Sequence, residues 1–180
     1  MFCTILIIGT CQVLFEVAIL RMWTECGTQA NYRAVYLAPV KALCSEKHRD
    51  WCQKFSCVGL KVVLLTGDST GDDLSKIQSS NIIITTPEKW DAVSRKLKDP
   101  TIIASIRLVM IDEVHLLNDD SRGHVLEAVL CRMKTLRYVA RYVAVSATFP
   151  NIKDVAFWLG GNTARFFKVR EVIAQKVVIH

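Results

Sequence analysis

Asp112 and Glu113 stand side by side where an apolar run ends, in the segment RLVMIDEVHLLND (107–119), and His115 follows two residues later. Hard divalent cations prefer oxygen ligands, so a carboxylate at Asp112 suits a magnesium site reached through water. A second carboxylate beside it suits a base that orients or deprotonates an attacking water. The same two acids also suit a helix start, where negative side chains complement free N–H groups. Residue types alone leave both readings open, and deciding between them needs the elements that would position the pair.

From Tyr32 onward, apolar runs alternate with amphipathic segments. Strands are expected at Arg33–Ala38, Lys61–Thr66, Asn81–Thr85, Leu108–Ile111, Tyr142–Ser146 and Ala164–Val169, preceded by one at Thr4–Ile8. Most are continuous and rich in Val and Ile, as strands covered on both faces are. Leu126, Val129, Leu130 and Met133 recur at i, i+3, i+4 and i+7, which places one apolar stripe on a helix. Trp90, Val93 and Leu97 repeat the pattern less completely, Ser45–Phe55 carries Trp51 and Phe55 on one side, and a helix is expected to begin near Val13. Strand and helix taking turns predict an α/β fold: one domain, a mostly parallel sheet and helices on both faces.

Bulk properties agree. A chain of 180 residues, 51% hydrophobic and 22% charged, suits one globular domain with a full core. A net charge of +6 permits a nucleic-acid partner without requiring one. Seven cysteines include no C-x-x-C pair, and Cys44, Cys52 and Cys57 fit no common zinc spacing, so they read as reduced thiols of a cytosolic or nuclear protein. The first twenty residues, MFCTILIIGTCQVLFEVAIL, are nearly all apolar but lack a basic start and contain Glu16, so a buried strand and helix are expected there rather than a membrane anchor.

In a doubly wound sheet, ligands sit beyond the carboxyl ends of the strands. Polar segments fall at five such ends: LAPVKAL, LLTGD, ITTPEKW, IDEVH and VSATFP. Turn residues end most strands, so one instance means little, but five on one rim predict an extended functional face.

The order of these segments resembles that of superfamily 2 DExH-type helicases, and APVKALCSEK, LLTGDS, TTPEKWD, IDEVHLLND and VSATFPN together resemble the first RecA-like domain of the Ski-like branch. TTPEKWDAVSRK and SRGHVLEAVLCRMKT are most similar to the meiotic, crossover-promoting DNA helicases of that branch. The similarity is expected to cover residues 13–170, with residues 171–180 starting a connection to a second domain. It implies an ATP-dependent 3′–5′ DNA helicase acting in meiotic recombination, with ATP and Mg²⁺ as cofactors. Its partner would be single-stranded or branched DNA and its location nuclear, with the cytoplasm as the alternative. The resemblance implies that Asp112 coordinates Mg²⁺ and Glu113 activates water. His115 would contact Ser146, Ala147 and Thr148, coupling nucleotide state to strand movement. Pro39, Lys41, Thr66, Gly67, Thr86, Pro87, Glu88 and Lys89 would line the single-strand path, where a lysine, hydroxyls and loop amides suit phosphate oxygens. Arg122 would add a phosphate contact or face solvent. His124 stands where relatives often carry proline.

Such a motor needs G-x-x-x-x-G-K-[ST], whose amides cradle phosphates and whose Lys reaches the terminal ones. No such motif occurs in the chain. Aligning QVLFEVAIL with the helix that follows the family's loop puts Gln12 at the Mg²⁺-binding hydroxyl, Cys11 at the lysine and Thr10 at the last glycine. Residues 1–12 thus read as a divergent apolar replacement of the loop region. The expectation is a partial motor domain without its second RecA-like partner, inactive as an ATPase alone. The alternatives are a non-catalytic single-strand binding module and a related RNA or DNA helicase fragment of the same branch.

Overall fold

The run IIIT, Ile82–Thr85, is fully buried along its length, and RAVYL, Arg33–Leu37, is equally so. Strands this apolar need cover on both faces, and the helices between them supply it. The computed structural model describes residues 3–7, 12–26, 32–67, 73–97, 99–135, 140–146, 151–161 and 165–168. The strands are β1 (Cys3–Ile7), β2 (Arg33–Leu37), β3 (Val62–Leu65), β4 (Ile82–Thr85), β5 (Ile106–Ile111), β6 (Arg141–Ser146) and β7 (Arg165–Lys168). They form one sheet in the order β3-β4-β2-β5-β6-β1-β7, and every pairing is parallel. The expected α/β architecture is therefore present, and each anticipated strand lies within two residues of its expected bounds.

The helices are α1 (Gln12–Cys26), α2 (Lys41–Ser56), α3 (Asp73–Gln78), α4 (Pro87–Ser94), α5 (Pro100–Ala104), α6 (Gly123–Thr135) and α7 (Ile152–Gly160), with a 3₁₀ turn at Val114–Asn118. Local chemistry sets several starts. Thr86 caps α4 by accepting from Lys89 N, with Pro87 at the first helical position, where its missing N–H is harmless. Asp99 caps α5 by accepting from Thr101 N at 2.8 Å. α2 starts four residues before the expected Ser45, with no side-chain cap at Val40. Leu97, expected on the α4 stripe, lies beyond the helix end but still packs against the core.

The two faces have separate cores. On one, α1 and α2 bury Phe15, Ile19, Trp51 and Phe55 against Tyr36, Met110 and Val145 of the sheet. Phe15, Tyr36, Trp51 and Phe55 meet edge to face at centroid distances of 5.4, 5.1 and 5.9 Å, each pair adding roughly 0.5–1.5 kcal/mol beyond its buried area. The other face carries Trp90, Leu126, Val129, Leu130 and Leu159 from α4, α6 and α7. At the amino end of the sheet, the buried guanidinium of Arg33 donates to the carbonyls of Ile77 and Gln78 and to Ser105 Oγ, fastening the ends of α3 and α5 to β2.

Because all strands run the same way, their carboxyl ends share one rim. Leu37 pairs with Thr85 on one side and Ile111 on the other, and Ile7 pairs with Ser146. This brings the polar segments that follow β2, β4 and β5 to adjacent positions, beside Ser146 at the end of β6.

Candidate active site

Asp112 follows the last residue of β5, and its amide donates to Leu37 O at 2.9 Å, extending the sheet one residue into the rim. Both oxygens of its carboxylate are held. Tyr36 Oη donates to Oδ2 at 2.5 Å, and Glu113 N donates to Oδ1 at 3.0 Å. Glu113 has φ 53° and ψ 50°, the left-handed region, and is the one non-glycine residue with positive φ among those described. Such a conformation opposes the L-residue preference and marks sites where surrounding structure imposes it. Here it turns the chain sharply off β5 into the 3₁₀ turn. Glu113 stands at the N-cap position of that turn, but its side chain makes no cap hydrogen bond.

His115 sits on that turn, half-buried. Its Nδ1 lies 3.2 Å from Ser146 Oγ, at the end of β6, and 3.1 Å from Glu113 Oε2. One nitrogen thus touches both the hydroxyl of the adjacent strand and the second acid. Ala147 and Thr148, expected to share this contact, lie outside the described residues, as do residues 8–11 and 171–180.

The expected strand-path residues divide into two groups. Pro39, Pro87, Glu88 and Arg122 surround a small cleft together with Asp112, Leu37, Leu116 and Leu126. Arg122, exposed and one residue before α6, donates from Nη1 to Pro39 O at 3.0 Å, which links it to the loop after β2. Its backbone is fixed by Asp119, whose Oδ1 accepts from Ser121 N and Arg122 N at 2.8 and 3.0 Å. The Ser121 hydroxyl and these amides hold the Asp119 carboxyl below its usual pKa. Lys41 and Gly67 also meet: a Cβ on Gly67 would stand 3.3 Å from Lys41 Nζ. Thr66 lies just past β3.

Within TTPEK the exposure is uneven. Thr86 and Pro87 are buried, and Thr86 spends its hydroxyl on the cap of α4. Lys89 forms a 2.8 Å ion pair with Asp73 at the start of α3. Glu88 is the exposed member of the segment.

Two residues of this region carried no sequence signal. Tyr36, within the strand expected at Arg33–Ala38, is wholly buried and bonded to Asp112; burial and the Asp112 charge both push its phenol pKa up. Lys47, within the helix expected at Ser45–Phe55, is 2% exposed and its Nζ has no hydrogen-bond partner. Burial lowers its pKa, and Asp112 is the strongest charge opposing that.

As a cation ligand the rim offers the carboxylate of Asp112, held on both oxygens. Among the described residues no group of three or more metal-ligating side chains is present. Each Asp112 oxygen accepts one hydrogen bond and keeps a second lone pair, which fits Mg²⁺, an ion commonly bound by one or two carboxylates with water and phosphate completing its shell.

A profile of the DEAD/DEAH box helicase family matches residues 13–155. The chain belongs to this family. Among curated relatives, it is 48% identical over 185 residues to the mouse protein named Probable ATP-dependent DNA helicase HFM1, covering 93% of this chain and 13% of that one. It is 43% identical over 152 residues to ATP-dependent DNA helicase MER3 of Saccharomyces cerevisiae, covering 83% and 13%. The human U5 small nuclear ribonucleoprotein 200 kDa helicase is 42% identical over 160 residues, covering 84% and 7%. The chain thus spans about an eighth of the HFM1 and MER3 relatives. The crystal structure of DUF1998 helicase MrfA bound to DNA superimposes with a TM-score of 0.75 over 93% of this chain and 25% of that one; at 21% identity this likeness speaks for the fold. No helix among the described residues is long and apolar enough to cross a membrane.

Proposed function

We propose that this chain is the ATPase-side motor domain, residues 13–170, of an ATP-dependent DNA helicase acting on single-stranded or branched DNA in the nucleus, during meiotic recombination. The observation that carries this reading is the clustering on one rim of the Asp112–Glu113 pair, the His115–Ser146 contact and the Pro39, Pro87, Glu88 and Arg122 cleft. The names of its HFM1 and MER3 relatives support DNA as the substrate.

In this reading Asp112 would hold Mg²⁺, which when bound supplies charge that neutralises phosphate oxygens. Glu113, at the mouth of the rim and within reach of His115, accepts a proton from water or passes it to the imidazole. His115 ties that acid to the end of β6, so movement at one is felt at the other. Lys41, beside Gly67, offers a cation to a strand backbone, as do loop amides after β2 and β4.

ATP itself does not fit the residues of this chain. A triphosphate needs a lysine and a hydroxyl at the loop before α1, and Cys11 and Gln12 stand at those places. Alone, the chain hydrolyses ATP negligibly and engages single strands through the rim. The test is steady-state ATP hydrolysis by the purified chain and its Asp112→Asn variant, with fluorescence anisotropy of a labelled oligonucleotide across a salt series. Strand binding that weakens steeply with salt, beside turnover equal in the two proteins, is the expected result. Turnover that disappears in Asp112→Asn would instead make the chain a self-sufficient ATPase, and affinity indifferent to salt would remove the strand-binding role.

A further inference from the structure

The carboxylate of Asp112 is gripped from inside the fold by a residue of the neighbouring strand. Tyr36 lies on β2, which pairs with β5 so that Tyr36 stands opposite Met110 and Leu37 opposite Ile111, one step short of Asp112. Its ring is fully buried and wedged between Phe15 at 5.4 Å and Trp51 at 5.1 Å, both edge to face. That packing leaves the phenol oxygen little freedom to move. A phenylalanine would fill the same space, so the hydroxyl is not there for packing. Its 2.5 Å bond to Oδ2 is what it adds.

The second oxygen, Oδ1, is met from the other direction by Glu113 N, whose position depends on the left-handed turn at Glu113. Phenol and backbone therefore hold the carboxylate at both ends, and a side chain with two free torsions is reduced to one orientation.

We propose that Tyr36 is a positioning residue for Asp112: by anchoring Oδ2 inside the fold it presents the carboxylate to a divalent cation at the rim. This rests on the reading of Asp112 as a cation ligand given above. Two effects of the hydroxyl oppose each other. Donation to Oδ2 drains charge from the ligand and weakens cation binding, whereas orientation strengthens it. For ligands held by outer partners the orientation effect wins, with losses of about 10–100-fold in metal affinity when the partner is removed. Removing the Tyr36 hydroxyl is therefore expected to weaken cation binding about tenfold.

The experiment uses Mn²⁺ as the probe and the whole 180-residue chain. Paramagnetic broadening of backbone amide signals is followed against Mn²⁺ concentration for the parent, Tyr36→Phe and Asp112→Asn, with urea midpoints recorded for each. The expected result is broadening centred on Glu113 in the parent, its loss in Asp112→Asn, and a midpoint about tenfold higher in Tyr36→Phe, whose fold survives because the ring remains. Unchanged Mn²⁺ binding in Tyr36→Phe, with binding lost in Asp112→Asn, overturns the positioning role and leaves Asp112 as the ligand. Broadening that persists in Asp112→Asn overturns the ligand reading, and the role of Tyr36 falls with it. Should Tyr36→Phe unfold, the hydroxyl proton of Tyr36 in the parent gives the answer: a resonance that is absent from Asp112→Asn and shifts on Mg²⁺ addition supports the proposal, and one that Mg²⁺ leaves in place overturns it.

Discussion

His115 Nδ1 lies 3.2 Å from Ser146 Oγ, joining the turn after β5 to the last residue of β6 across the rim. The same nitrogen is 3.1 Å from Glu113 Oε2, so the hydroxyl and the acid share one imidazole edge. Two strands whose ends carry different jobs are thereby linked by side chains as well as by the sheet. A double-mutant cycle of His115→Ala and Ser146→Ala, read by urea unfolding, is expected to give a coupling of about 0.5–1.5 kcal/mol, the net value of one hydrogen bond. Strictly additive single effects would show that the contact does not exist in solution.

Gly123 begins α6 directly beneath the 3₁₀ turn. A Cβ there would lie 2.9 Å from the Leu117 carbonyl carbon and 3.0 Å from Leu116 O, and would overlap the Leu117 oxygen. The obstacle is backbone, which cannot rotate away, and it is the backbone that carries His115. Gly123→Ala is expected to destabilise by about 1–3 kcal/mol, in spite of alanine's better helix propensity. Thermal unfolding followed by circular dichroism checks this. An unchanged or higher midpoint would mean that α6 and the turn are not packed so closely.

How much of this was legible in the sequence follows from burial and range. β4 and β5 announced themselves because strands covered on both faces must be apolar throughout, and Leu126, Val129, Leu130 and Met133 marked α6 because one face alone meets the core. α3 and α5, of six and five residues, are shorter than two helical turns, so no periodicity could reveal them. The rim segments were legible as polar exits from apolar runs. The bonds within the rim were not, because Tyr36 reaches Asp112 across 76 positions and Arg122 reaches Pro39 across 83. Nothing local to Glu113 signals its left-handed backbone either, since an acid there is imposed by the turn and not favoured by residue type.

Lys89 and Lys41 were expected to serve alike, and their surroundings separate them. Lys89 pairs with Asp73 at 2.8 Å, with side chains only 14% and 18% exposed, whereas Lys41 is exposed at the start of α2. Truncating one partner of a largely buried pair removes charge compensation from the other. Lys89→Ala is therefore expected to lower stability by about 1–3 kcal/mol. Lys41→Ala should stay within about 0.5 kcal/mol, as surface changes do, while weakening oligonucleotide binding and reducing the salt slope by about 0.7 for one lost phosphate contact. Urea unfolding beside anisotropy titrations distinguishes the two. A Lys89→Ala protein of parental stability, or a Lys41→Ala protein with an unaltered salt slope, contradicts this assignment.

Asp91 ties α4 to α6: its Oδ1 lies 2.7 Å from Arg132 Nη2 and its Oδ2 2.9 Å from Arg95 Nη2. Burial works to raise the Asp91 pKa, but hydrogen bonds and charge from Arg132 and Arg95 outweigh it and the net shift is downward from 3.8. A carboxyl with a lowered folded pKa contributes stability that is complete above its unfolded pKa, near 3.9, and is lost as pH falls through the folded value. Asp91→Asn is thus expected to be less stable than the parent by about 1–2 kcal/mol at pH 7. That difference should hold down to about pH 5 and shrink below about pH 4, where the parent's own carboxyl becomes neutral. Urea unfolding of both proteins at pH 7, 5, 4 and 3 measures it. A gap that persists undiminished at pH 3 would show that shape, and not the charge of Asp91, joins the two helices.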